Sequence, residues 1–183
     1  MKIRLASDLQ ADSIVDGPGI RTVIWTQGCS HNCKGCHNAI THDFNGGFLV
    51  DIEDVIKELE LIEGQDGITL SGGDPLFQKK ACLEICKHAK KMGLNVWCYT
   101  GFLYENLIND KEALELLKYV DVLVDGKFEI EQRSLNLYYK GSRNQRIIDV
   151  QKSLADNVVT LVPEYENERT YNSFVTKPKN IYV

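Results

Sequence analysis

Apolar residues recur along this chain in two rhythms. Ile52, Val55, Ile56, Leu59 and Ile62 fall three and four apart, which predicts an amphipathic helix over 51–63 with Asp51 near its N-cap. Cys82, Ile85, Cys86, Ala89 and Met92 make a second such stripe, closed by Gly93. A leucine-rich helical stretch leads to Val120. Between these lie short β-branched and aromatic runs: Arg21 to Gln27, Gly67 to Ser71, Asn95 to Thr100 and Val120 to Val124. Ile147 to Val150 and Val158 to Val162 are further apolar pieces. Strand alternating with helix predicts parallel strands joined by crossover helices. A closed eight-unit barrel needs about 250 residues. The 183 residues here leave room for about five to six units, so an open, partial β/α barrel or an open sheet is expected. Its site would lie at the C-terminal ends of the strands.

The organisation expected is one domain over 1–162 and a polar tail over 163–183, loosely held, where the chain turns to E-Y-E-N-E-R-T-Y-N-S. No repeat or low-complexity segment interrupts it. Composition changes little: 43% hydrophobic and 26% charged is ordinary for a globular chain. The net charge of −5 argues against broad nucleic-acid binding, which runs on cations neutralising phosphates. No apolar run approaches the ~18 residues of a membrane span, and no secretory leader is visible at the N-terminus. A cytoplasmic, reducing setting is expected, where grouped cysteines bind metal or do chemistry.

Such a group exists. Cys29, Cys33 and Cys36 sit within eight residues, in the loop after the strand ending at Gln27. The residues alone leave two uses open. Zinc would take His31, His37 or His42 as a fourth ligand, making a stabilised binding module without catalysis. A four-iron cluster normally takes four cysteines; three would leave one iron to an outside ligand. No second cysteine pair completes a zinc ribbon, because Cys82, Cys86 and Cys98 are scattered over a helix and a strand and read as core.

The spacing C-x3-C-x2-C resembles the signature of the radical S-adenosylmethionine superfamily. Ser71-Gly72-Gly73-Asp74-Pro75 resembles its G-G-E-P turn, with aspartate for glutamate. Asp16-Gly17-Pro18-Gly19-Ile20-Arg21 resembles the D-G-P-G-I-R signature of glycyl-radical activating enzymes. Cys29 to Asn38, Trp97-Cys-Tyr-Thr-Gly101, Val122 to Phe128 and Gly141 to Arg146 are similar to the anaerobic ribonucleotide reductase activase family, over about residues 10–150.

The resemblance implies that Cys29, Cys33 and Cys36 bind a [4Fe-4S] cluster whose fourth iron chelates S-adenosylmethionine. Reductive cleavage there would give an adenosyl radical that takes hydrogen from a glycine of the large reductase subunit. It implies Gly35, Cys36 and His37 along the adenine, and Gly72 and Gly73, with Asp74, at the methionyl end. It implies an Asp125 and Lys127 contact to the ligand, for which a solvated charge pair is the alternative. Asp16, Gly17, Pro18, Gly19 and Arg21 would dock the protein substrate, and a flavodoxin or ferredoxin would deliver the electron. Gly35 departs from most of the superfamily, which has an aromatic residue there. A formate-lyase-type activase or a small-molecule radical enzyme is the alternative within the superfamily.

Overall fold

The computed structural model describes residues 1–169. Eight strands form one sheet: β1 Lys2–Leu5, β2 Gln10–Ser13, β3 Arg21–Thr26, β4 Phe48–Asp51, β5 Gly67–Gly72, β6 Asn95–Tyr99, β7 Val122–Asp125 and β8 Arg146–Asp149. The order is β4-β1-β3-β5-β6-β7-β8, with β2 sharing an edge of β3 with β1. Five helices accompany them: α1 Ile52–Leu61, α2 Lys79–Lys91, α3 Tyr104–Leu107, α4 Lys111–Leu117 and α5 Val150–Asp156.

The fold is therefore mixed α/β, but not a run of five to six parallel units. Four strands, β3, β5, β6 and β7, are parallel; β1, β2, β4 and β8 pair antiparallel. The cause is connection chemistry. A parallel return needs a crossover of a dozen or more residues, usually a helix. Helices α1, α2, and α3 with α4 supply that before β5, β6 and β7. No helix of more than one short turn lies between β7 and β8, and none separates β1, β2 and β3.

Alternation along the central strands sorts side chains to two faces. Val96, Cys98, Leu123 and Ile148 join Ile24, Ile68 and Leu70 under the helices, against Val55, Leu59, Ile85, Cys86, Ala89 and Leu116. Trp97, Val124 and Ile147 face the other way, with Tyr99, Tyr139 and Tyr165 packed on them. That second face carries the site.

Both long helices match their stripes. Asp51 holds the N-cap position of α1, yet its side chain makes no cap bond and binds Lys2 Nζ at 2.8 Å instead. Met92 closes α2, and Gly93 follows at φ +78°. Of the tail, Pro163–Tyr165 forms a 3-10 turn whose Tyr165 ring lies 5.9 Å from that of Trp97. Arg143 Nε donates to Glu168 Oε1 at 2.6 Å. Residues 170–183 lie outside the described part.

Candidate functional site

Four loops leave the C-terminal ends of the parallel strands, and all four border one cleft of about 810 Å³. Cys29, Cys33, Cys36 and His37 come from the loop after β3. Ser71 and Gly72 end β5 and Gly73 follows it, Tyr99 ends β6 with Thr100 and Gly101 after it, and Gly126 follows β7.

The cysteine loop is shaped by backbone that only certain residues adopt. Gly28 (φ +106°), Asn32 (φ +51°) and Gly35 (φ +73°) are left-handed. Its base is stitched down: Gly28 N–H donates to Thr41 O at 2.8 Å, and Cys29 N–H to His42 O at 3.0 Å. The Gly72-Gly73 turn lies directly against that base. Gly73 N–H donates to Thr26 O at 2.7 Å and Asp74 N–H to Gly28 O at 3.0 Å. A Cβ on Gly72 would sit 2.4 Å from Thr26 O, and one on Gly73 would sit 2.4 Å from Gly28 O. Glycine is required at both by close approach, a constraint the bare motif only hinted at.

The other candidate residues divide. His37 lines the cleft with its ring tilted on Phe128, centroids 4.9 Å apart. Gly35 does not border the cleft: a Cβ there would meet Ile130 Cδ1 at 2.6 Å, and its φ of +73° favours glycine. Asp74 is 1% exposed and does not border the cleft. Asp125 is fully buried and accepts from Tyr104 N–H at 2.8 Å and from the Arg146 guanidinium. Lys127 also lies off the cleft, and Asn144 Nδ2 donates to its carbonyl at 2.8 Å. Arg146 clamps Glu105 through two 2.8 Å bonds and pulls that carboxyl down to about 2.

Of the D-G-P-G-I-R run, Asp16 borders the cleft and accepts from Ser13 Oγ. Arg21 is 1% exposed. It donates to Thr69 Oγ1 at 2.8 Å, Pro18 O at 3.1 Å and Ile68 O at 2.6 Å, and lies over the Trp97 ring. Burial lowers its pKa to about 10. Gly17 (φ +133°) gives way to the Arg21 stem, and Gly19 (φ +76°) abuts Asp66, whose carboxylate accepts from Ile20 N–H. Gly17 and Pro18 thus brace a buried guanidinium, while Asp16 borders the cleft and Gly19 and Ile20 are exposed.

Residues 15–148 match the family described as "4Fe-4S single cluster domain". Proteins named anaerobic ribonucleoside-triphosphate reductase-activating protein are 36% identical over 144 residues in Haemophilus influenzae and 37% over 142 in Vibrio cholerae. Each alignment covers 73% of this chain and 90% of the relative. The Enterobacteria phage T4 protein of that name is 36% identical over 140 residues, with 73% and 86% covered. The chain belongs to this family of reductase-activating proteins. Among solved structures, QueE from Escherichia coli aligns over 55% of this chain and 53% of its own at TM-score 0.46 and 17% identity, too slight a likeness to carry a fold or a function.

The family's cluster fits the donors present. Cys29, Cys33 and Cys36 are free, part-exposed thiols on one wall of one cleft. Burial raises the Cys29 thiol, so its thiolate form gains from a cationic partner. Among the described residues, no three of His, Cys, Asp or Glu surround a point where one ion would sit. The other thiols are unsuited. Cys82, Cys86 and Cys98 are fully buried, and burial pushes Cys82 to about 12 and the other two well above their ordinary value.

Sequence reading missed much of the far wall. Ile14, Val15, Leu135, Tyr139 and Lys140 border the cleft. They come from segments without periodicity, which no pattern assigns to a site. Among the described residues no helix is long and apolar enough to cross a membrane.

Proposed function

We propose that this chain is a radical S-adenosylmethionine activase that generates a glycyl radical on anaerobic ribonucleotide reductase. The observation that carries the reading is the convergence of three part-exposed thiols and the close-packed Gly72-Gly73 turn on one cleft, in a chain of the activating-protein family. A cleft of about 810 Å³ is within the usual range for a small-molecule site. The four parallel strands are read as the core of a partial barrel whose strand ends carry that site.

Cys29, Cys33 and Cys36 would hold three irons of a [4Fe-4S] cluster and leave the fourth to the methionyl end of S-adenosylmethionine. When bound, this pair supplies a one-electron cleavage of a carbon–sulfur bond, and with it an alkyl radical able to take a hydrogen atom from glycine. The chain's own residues position and shield. Gly72 and Gly73, with no side chains, let backbone approach the methionyl amine. His37 and the backbone of Cys36 border the adenine end. Tyr99, Tyr139 and Leu135 bring ring and aliphatic surface to the cleft, which favours exclusion of water from a reactive intermediate. Asp125 is committed to Arg146 and Tyr104, and Lys127 lies off the cleft, so neither is given a role. Docking of the glycine-bearing loop is assigned to the cleft mouth near Asp16 and not to Arg21. A flavodoxin or ferredoxin is the proposed electron donor.

The test is anaerobic incubation of the iron- and sulfide-loaded protein with S-adenosylmethionine, dithionite and the large reductase subunit, read by electron paramagnetic resonance. A glycyl doublet on the reductase is expected. Reduced, fully loaded protein that leaves the reductase silent contradicts the reading.

A further inference from the structure

Asp74 is buried beside the cleft but collects four donors. Leu76 N–H donates to Oδ1 at 2.9 Å, capping the 3-10 turn Pro75–Gln78. Thr100 Oγ1 donates at 2.9 and 3.1 Å, and Gly101 N–H at 2.9 Å, from the loop after β6. The fourth donor is His31 Nε2, 2.7 Å from Oδ2, and it comes from the cysteine loop. His31 stands two residues after Cys29 and two before Cys33. Among the described residues, its hydrogen bond is the one by which positions 30–37 bond outside their own loop.

The ring is also seated. It meets Phe102 edge-on with centroids 4.6 Å apart, and Phe77 at 5.7 Å. A Cβ on Gly101 would fall 2.5 Å from its Cδ2, so glycine at 101 makes the room it occupies. Phe77 follows the Gly72-Gly73 turn, and Gly101 and Phe102 follow β6. One imidazole thus keys the cysteine loop into both neighbouring loops.

We propose that His31 is a positioning residue, and that its bond to Asp74 fixes the separation between the three thiols and the Gly72-Gly73 turn. The consequence rests on the function proposed above: the cysteines hold one end of the bound pair and the glycines the other. A loosened clasp leaves the thiols able to take up iron but spoils the joint fit to S-adenosylmethionine. The role is mechanical and calls for no proton transfer.

The test uses the full chain with His31→Ala, His31→Gln and Asp74→Asn. The first arm needs no cluster. Hydrogen exchange of the metal-free protein should speed up about tenfold or more at the Gly101 and Phe102 amides in His31→Ala, the loss expected for one bond to a carboxylate. In His31→Gln, whose amide N–H can still donate, the change should be smaller. In the second arm, loaded His31→Ala should keep about four irons per chain. It should need about tenfold more S-adenosylmethionine than wild type to change the resonance spectrum of the reduced cluster, with Gln recovering most of that.

Wild-type exchange and wild-type titration in His31→Ala overturn the proposal. So does joint loss of iron and thermal stability in every variant, which would make the residue structural only. If the wild-type spectrum ignores S-adenosylmethionine, the proposed function fails, and the exchange arm still decides whether the clasp exists.

Discussion

Gly72→Ala should destabilise this protein far more than Gly64→Ala, although both glycines have positive φ. Gly72 lies at φ +103° and Gly64 at +72°. Each alanine incurs the left-handed penalty of about 1–2 kcal/mol. At Gly64 nothing lies within 4 Å of the new Cβ, so the cost ends there. At Gly72 the Cβ falls 2.4 Å from Thr26 O and 2.7 Å from Thr26 N, both backbone atoms of β3. Those atoms sit in a strand paired on both edges and cannot rotate aside as a side chain would. Overpacking of this kind adds about 1–3 kcal/mol, for a total of about 2–5 kcal/mol. A chain of this size loses about 2–4 °C per kcal/mol. The expected fall in Tm is therefore about 4–20 °C for Gly72→Ala and about 2–8 °C for Gly64→Ala. Calorimetry on metal-free, anaerobic protein measures both without reference to activity. Equal Tm values would show that β3 and the Gly72-Gly73 turn are not pressed together as described, and the account of the cleft floor would fall with them.

Three further outcomes follow from the same geometry. Arg21→Ala should cost about 3 kcal/mol or more in urea, because Thr69, Ile68 and Pro18 lose a buried donor together; an unchanged midpoint with loss of partner binding would make Arg21 a surface recognition residue instead. Iodoacetamide near pH 8 should add three groups to the native, metal-free chain, at Cys29, Cys33 and Cys36, and six in urea; label on Cys82, Cys86 or Cys98 before unfolding would contradict their burial. The Glu105 carboxyl is held at about 2, below its ordinary 4.5, by Arg146. Its contribution to stability is thus whole above pH 4.5 and fades as pH falls toward 2. The stability advantage of wild type over Glu105→Gln should shrink across that window, and a constant difference would mean that the pair is not formed.

Helical stripes and the four central strands were legible because burial on one face imposes a period, and Cys82 and Gly93 sit where that period puts them. The flanking strands were not. Lys2–Leu5 and Phe48–Asp51 are four residues each, too short for a pattern to stand out, and their direction depends on pairing partners far along the chain. Proximity in the chain brings Cys29, Cys33 and Cys36 to one cleft, and that much was legible. Where the answer depends on a distant partner it was hidden. Arg21 looked like a docking cation until Thr69 and Trp97 enclosed it. Asp125 looked like a ligand contact until Arg146, on an antiparallel neighbour, claimed it. Asp74 and His31, 43 residues apart, could not be joined without the fold.

The most direct measurement is S-adenosylmethionine cleavage by anaerobically loaded wild type and by Cys33→Ala, under dithionite, with iron counted in both. Wild type should hold about four irons per chain and release 5′-deoxyadenosine, while a folded Cys33→Ala should release none. Cleavage that survives in Cys33→Ala, or a wild-type chain that takes up one zinc and no iron, would contradict the account.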